Sequence, residues 1–402
     1  MIKRPAYVEE LLGYRDKHII KVVTGVRRCG KSTLLEMYQS RLHRLGVAEA
    51  QIIYLNFEDM GNKDLTNAEN LHRYILKKLV KGKMNYIFFD EIQMVTEFPR
   101  VVDSLFIKKN IDLYITGSNQ YFLSAELATL LTGRYVTINM MPLSFKEYTT
   151  QFKASAGKEQ IYEDYLRYSS FPFTLELGHD LRQVKAYLEG IYNTIVMKDV
   201  AARRNIVDLF ALDSVSRFIF DNIGNLTSIK KIADTMQSGG RKISVPSVES
   251  YLVSLTDSFM IYRAKRYDVK GKRQLLINDK YYCVDIALRS TLLGEKSLEV
   301  SHVLENVIFL ELVRRYSEVY VGKIGDLEID FIAMRHGSPE YYQVAATVRD
   351  PQVLARELTP LMRVRDSYPK FLLSLDRDPP AWHEGIRSMN ALDFLLGSEG
   401  GL

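Results

Sequence analysis

Two glycines five residues apart, followed at once by a lysine and a hydroxyl, constrain this chain more than any other stretch. The segment reads Gly25-Val26-Arg27-Arg28-Cys29-Gly30-Lys31-Ser32-Thr33, which fits G-x-x-x-x-G-K-[ST]. An apolar, β-branched run, His18–Val23, precedes it, and helix-spaced residues, Lys31–Leu45, follow. Strand, tight turn and helix start in that order aim backbone N–H groups and the positive helix end at an anion. Gly25 and Gly30 allow the backbone to curl. Lys31 is expected to reach the β- and γ-phosphates of a nucleotide, and the Ser32 hydroxyl to ligate Mg²⁺. The nine residues Gly25 to Thr33 are the expected phosphate cradle.

A second signal completes the first. Tyr86-Ile87-Phe88-Phe89 runs into Asp90-Glu91, and Asp90 lies 59 residues after Lys31. A carboxylate at the C-terminal end of a buried strand sits where an α/β sheet binds ligands. Asp90 is expected to hold Mg²⁺ through water, and Glu91 to accept a proton from the attacking water. Without the loop, the same two acids would read as a helix cap. A third segment, Tyr114-Ile115-Thr116-Gly117-Ser118-Asn119, also puts polar residues just past an apolar strand. Asn119 or Ser118 can orient water or sense the γ-phosphate; a simple hydrogen-bonded turn uses the same residues. Asn62-Lys63-Asp64 falls short of a guanine-reading N-K-x-D, because its aspartate comes one place early and it precedes Asp90. The tandem acids suit ATP. No G-x-G-x-x-G follows a strand, which disfavours a dinucleotide enzyme.

The apolar runs Gln51–Phe57, Asn85–Phe89, Ile111–Thr116 and Tyr135–Met140 alternate with the helical stretches Asn67–Val80 and Pro99–Lys109. Continuous apolar strands between helices predict an α/β fold with a parallel sheet covered on both faces. At 402 residues, two or three domains are expected. The pattern suggests a P-loop core over 1–142, a Tyr-rich helical extension over 143–209, three helices and a basic hairpin over 210–292, and an α/β tail over 293–402. With 47% hydrophobic and 26% charged residues the chain is not disordered. Two cysteines, Cys29 and Cys283, fit a reducing cytoplasm, and neither has a partner at zinc-ligand spacing. No run reaches the ~18 apolar residues of a membrane helix, and the basic start lacks an apolar signal segment.

Charge is concentrated in one place. Residues 210–289 hold 13 basic and 8 acidic residues, a surplus equal to the net charge of +5 for the chain. Arg263, Lys265, Arg266, Lys270, Lys272 and Arg273 face only Asp268 within residues 261–273. Three helices and such a hairpin resemble a winged helix. Its third helix, Pro246–Asp257, offers serines and Glu249 but no lysine or arginine, so base reading through it is weak. The hairpin can make non-specific phosphate contacts to DNA; it can equally serve packing between parts of the molecule or between subunits.

These phrases together resemble the AAA+ ATPases, and more closely a prokaryotic, Walker-type group that carries a C-terminal domain of unknown function. Thr132-Gly133-Arg134, Pro142-Leu143-Ser144-Phe145, Lys280-Tyr281-Tyr282 with Asp285, and Glu328-Ile329-Asp330-Phe331 extend the likeness over nearly the whole chain. The resemblance implies binding of ATP/ADP and Mg²⁺, slow hydrolysis that rearranges the later domains, and self-association. It also implies an arginine supplied to a neighbour's γ-phosphate. Arg134 is the candidate, with Arg203 and Arg204 in reserve. Glu305, Asp330 and Gln343 resemble the helix–strand–strand order of restriction-endonuclease-like folds. The last strand reads Gln343-Val344-Ala345, without the expected lysine, and Lys323 is the only substitute the sequence suggests. A tail that does not cut DNA is expected; the alternatives to an ATP-driven machine are a nucleotide-gated DNA- or protein-binding module with incidental hydrolysis, and a DNA-processing nuclease.

Overall fold

Strands that are buried on both faces are mainly apolar, and their few polar residues need buried partners. The computed structural model describes residues 2–118, 133–153, 155–201, 206, 208–294, 299–377 and 381–397. The chain divides into two units, Met1–Pro142 with Asp257–Phe259, and Leu143–Thr256 with Met260–Leu402.

In the first unit β1 (Ile20–Thr24), β2 (Ile52–Asn56), β3 (Asn85–Asp90), β4 (Ile111–Gly117) and β5 (Tyr135–Asn139) form one sheet. Their order is β2-β3-β4-β1-β5, and every pairing is parallel. β1, β3 and β4 are buried along their whole length, whereas the edge strand β2 alternates. The helices are α1 (Pro5–Gly13), α2 (Lys31–Arg44), α3 (Ala68–Lys78) and α4 (Phe98–Phe106). Asn67 caps α3 by accepting from the N–H groups of Glu69 and Asn70. Leu71 and Ile75, one turn apart on α3, pack with Ile87, Phe89 and Leu105. Each such side chain stabilises by about 1.5–3 kcal/mol on burial. α1 is not announced by the sequence pattern, because Leu11 is its one buried residue.

The second unit begins with α5 (Phe145–Thr149), α6 (Lys158–Tyr168) and α7 (Leu181–Thr194), the last continuing as a π-helical turn over Ile195–Ala201. α8 (Leu209–Asp221), α9 (Ile229–Ser238) and α10 (Val245–Asp257) lead into the hairpin β6 (Ile261–Asp268) and β7 (Arg273–Cys283). Then come α11 (Ile286–Leu293), α12 (Val300–Arg315), β8 (Glu318–Ile324), β9 (Leu327–Arg335), β10 (Ser338–Ala345) and α13 (Pro351–Arg363). β11 (Lys370–Ser374), β12 (Ala381–His383), β13 (Ile386–Asn390) and α14 (Ala391–Leu396) complete it. All eight strands share one mixed sheet, ordered β12-β13-β11-β10-β9-β8-β6-β7. β6 pairs antiparallel with β7 and parallel with β8, so residues on either side of position 292 share this sheet.

Two local features shape its centre. Gly322 reads as a strand terminator but lies within β8, where an added Cβ would come 2.9 Å from both Ile329 and Ile332. Opposite it, the step from Gly322 to Tyr320 is matched by the longer step from Ile329 to Ile332. The resulting bulge contains Asp330 and Phe331. Phe331 meets Phe309 of α12, and Ile329 and Ile332 join Leu358 and Leu361 of α13 in a separate core.

Candidate nucleotide site

The Gly25–Thr33 loop sits where its sequence demands. Gly25 has φ +149°, and a Cβ there would lie 1.9 Å from the Met140 carbonyl oxygen. Gly30, at φ +104°, is the N-cap of α2 and turns the chain into the helix. Lys31 is almost wholly buried. Its Nζ donates to the Gly25 and Val26 carbonyls at 3.1 and 3.4 Å and lies 3.9 Å from Glu91 Oε1. Within the loop Val26 and Cys29 are buried, Arg28 is exposed with φ +70°, and Arg27 pairs with Glu58. Burial pushes the Cys29 thiol up, so it stays protonated. Ser32 and Thr33 occupy the first turn of α2 and are half-buried.

A residue outside the motif braces this loop. Arg4 is 3% exposed. Its guanidinium donates to the Cys29 carbonyl at 3.3 Å and to the Met141 carbonyl at 2.7 Å. The loop is thereby tied to the segment following β5, which the Gly25–Met140 approach also touches.

Asp90 ends β3, fully buried. Oδ1 accepts from Thr116 Oγ1 at 2.5 Å, and Oδ2 from the Tyr54 hydroxyl at 3.0 Å. Burial, and then the charge of Asp90, push the Tyr54 phenol up, so it remains a donor. Both donors are neutral hydroxyls, and each carboxylate oxygen keeps a lone pair. A buried anion so held, together with the Ser32 hydroxyl, fits a water-linked Mg²⁺. Glu91 follows in a left-handed conformation, φ +54°, with its N–H on Thr116 Oγ1 at 2.9 Å. It caps no helix by its side chain. Instead Oε2 accepts from the Gln93 amide. Thr116, Tyr54 and Gln93 escape a motif search. Thr116 stands inside the third segment and Gln93 two residues past Glu91, but Tyr54 is brought in from β2 by sheet order alone.

The third segment is described as far as Ser118, whose Oγ is buried and bonded to none of the described residues. Asn119 lies outside the described residues, as do Arg203 and Arg204. Arg134 pairs with Asp103 of α4 and lies over the Phe106 ring at 5.8 Å. Its carbonyl accepts from Ile20 N, at the start of β1, whereas the phosphate loop follows the end of that strand.

A family model described as an AAA domain matches residues 17–149, and a second, Domain of unknown function (DUF8612), matches 159–299. An uncharacterised protein of Haemophilus influenzae is 37% identical over 400 residues, covering 98% of this chain and 99% of the relative. The chain belongs to the prokaryotic AAA+ P-loop ATPases. A second uncharacterised relative, from Methanocaldococcus jannaschii, is 30% identical over 334 residues, 78% of this chain and 71% of its own. Among solved structures, a Walker-type ATPase of Pyrococcus abyssi is similar in fold. Its TM-score is 0.51 at 16% identity, over 73% of this chain and 96% of that one. Nucleotide binding follows from this membership. Among the described residues no helix is long and apolar enough to cross a membrane.

In this AAA+ chain the tail holds a second polar cluster. Lys280, on β7, donates to Glu305 at 2.9 Å and pairs with Glu328 at 2.8 Å. Tyr282 donates to the same Glu305 oxygen at 2.5 Å. Asp330 accepts from Val344 N at 2.8 Å, and Gln343 donates to Glu357 at 2.9 Å. The lysine beside Glu305 is Lys280 of the hairpin, 25 residues earlier in the chain. Lys323 instead stands opposite Glu328 on neighbouring strands. Among the described residues no group of three His, Cys, Asp or Glu is arranged to hold a metal ion.

In the basic hairpin, Arg263 is taken by Asp279 at 2.6 Å and Arg266 is half-buried. Lys265, Lys270, Lys272 and Arg273 are exposed.

Proposed function

We propose that the protein hydrolyses ATP with Mg²⁺, and that the reaction rearranges the parts beyond the core. The observation that carries this reading is the convergence of Lys31 and Glu91, 3.9 Å apart, at the ends of β1 and β3. The amides from Gly25 to Thr33 and the Lys31 ammonium hold the phosphates. Ser32 and Asp90 hold Mg²⁺, which, when bound, neutralises charge between the β- and γ-phosphates. Glu91 takes a proton from the attacking water, and Asn119 or Ser118 orients that water. ADP remains in the cradle after phosphate leaves. Glu91→Gln is expected to bind Mg·ATP with unchanged affinity and to lose about 10²–10⁴ in turnover. Equal turnover in that variant would refute the assignment.

Arg134 is proposed to serve a neighbour's nucleotide in a homo-oligomer. It stands at the end of β1 remote from its own loop, and five residues of strand span roughly 16 Å. Mixing an Arg134→Ala protein with a Lys31→Ala protein is expected to restore turnover, since mixed assemblies contain one complete site. No restoration would exclude action in trans.

We read the parts as core 1–142, helical extension 143–209, winged helix 210–292 and nuclease-like tail 293–402. The order helix, bridge, helix, helix, hairpin supports the winged helix, with Thr227 bridged to Asp279. A packing role for its hairpin is favoured by the pairing of β6 with β8. DNA contact would rest on Lys265, Lys270, Lys272 and Arg273, and a duplex titration at low and high salt distinguishes the two. Binding at low salt that fades with added salt would establish the contact. A tail that does not cut is supported by the engagement of Glu305 with Lys280. Plasmid nicking that needs a divalent metal and Asp330 would overturn it.

A further inference from the structure

The carboxylate of Glu91 has two oxygens with different neighbours. Oε1 faces the Lys31 ammonium at 3.9 Å, on the phosphate side. Oε2 accepts from Nε2 of Gln93, in the short 3-10 turn Ile92–Met94. The left-handed backbone at Glu91 folds the chain back so that these side chains, two residues apart, meet. The Glu91 N–H is held by Thr116, which is itself held by Asp90. A carboxylate can only accept, so the amide nitrogen of Gln93 must face it, and the amide orientation is set by chemistry. Oε1 of Gln93 therefore points elsewhere. It is buried and accepts from none of the described residues.

We propose that Gln93 is a positioning residue for hydrolysis, orienting the Glu91 carboxylate with its amide N–H. The inference rests on the ATPase reading above. The water oxygen forms a bond to the γ-phosphorus while the bond from γ-phosphorus to the bridging oxygen breaks. That electron pair leaves on ADP. One water proton passes to Glu91, and the other stays on the product phosphate. Gln93 itself gains and loses nothing.

Gln93→Ala and Gln93→Glu test this, with kcat, KM, Mg·ATP affinity by calorimetry and melting temperature measured alongside wild type. Gln93→Ala is expected to lower kcat about 10- to 100-fold while affinity and melting temperature hold. Gln93→Glu has the same shape, but when ionised it repels Glu91 and cannot donate. When protonated it offers an O–H and a carbonyl in the places of the amide. Its kcat relative to wild type is therefore expected to climb as pH falls from about 8 to about 6, since adjacent carboxylates retain a proton more readily. Gln93→Ala with kcat within about twofold of an active wild type would overturn the inference and leave the ATPase reading intact. So would a loss of kcat accompanied by equal losses of affinity and melting temperature, or a flat pH ratio for Gln93→Glu. A wild type that binds Mg·ATP but never turns it over overturns both.

Discussion

Residue by residue, the phosphate loop depends on the absence of atoms as much as on their presence. At Gly25 an added methyl would overlap the Met140 carbonyl, at a backbone angle side chains rarely adopt. Such strain costs about 1–3 kcal/mol before the overlap is counted. Gly25→Ala is expected to fold and to lose at least about tenfold in ATP affinity by calorimetry. Cys29, inside the loop, presents the opposite case of a reactive group made inert. Its thiol and that of Cys283, pushed up to about 12, are both buried and both raised chiefly by burial. A thiol reagent at mild pH is therefore expected to modify neither in the folded protein and both after denaturation. Fast labelling of the native chain would show that the loop opens.

At the level of elements, β1 and β4 carry an ion pair that no motif reveals. Lys21 and Asp112, on the neighbouring strands β1 and β4 and both buried, are bonded to each other. Lys21 also donates to the Lys17 carbonyl, and Asp112 accepts from Asp16 N and the Tyr114 hydroxyl. Burial pushes Lys21 down and Asp112 up, so desolvation outweighs the attraction for both partners. Removing one partner strands the other. Asp112→Ala is expected to destabilise the core by about 3–5 kcal/mol in urea unfolding, whereas Lys21→Met with Asp112→Leu should cost far less. ATP affinity of the folded Asp112→Ala protein should survive, because the pair lies near the strand starts and the phosphates bind beyond the strand ends. The hydrophobic period announced these strands, but nothing local could pair position 21 with position 112. Near the end of the chain the opposite happened. β11 to β13 are short, and β12 is three residues long, too little for alternation to show.

Across the whole molecule, one sheet gathers the hairpin and the tail, and that gathering creates the Lys280 cluster. Burial alone would raise Glu305, but Lys280, His302 and Tyr282 together hold its carboxyl below the usual range. Asp330 goes the other way, raised well up by burial and then by the charge of Glu305. Because Glu305 is lowered on folding, its contribution to stability is present above the unfolded value of about 4.3 and fades as pH falls through the folded one. Lys280→Met would leave Glu305 buried without its lysine, a loss of up to about 3–5 kcal/mol. That loss is expected to be smaller near pH 5 than near pH 8, since protonation then relieves Glu305. Urea unfolding at the two pH values measures it; an equal loss at both would mean that Glu305 does not carry the effect.

The amino-acid order alone determined the phosphate loop, the Asp90-Glu91 pair and the parallel strands. Each is written within one short stretch, where chain neighbours are also spatial neighbours. Tertiary structure decided which side chains share a buried space: Arg4 with the loop carbonyls, Tyr54 and Thr116 with Asp90, Lys280 with Glu305. Those meetings join residues 25 to 36 positions apart or more, and they depend on strand order and register, which periodicity does not encode. Gln93 stands between the two cases. It is two residues from Glu91 in the chain, yet only the left-handed turn at Glu91 brings its amide back onto the carboxylate.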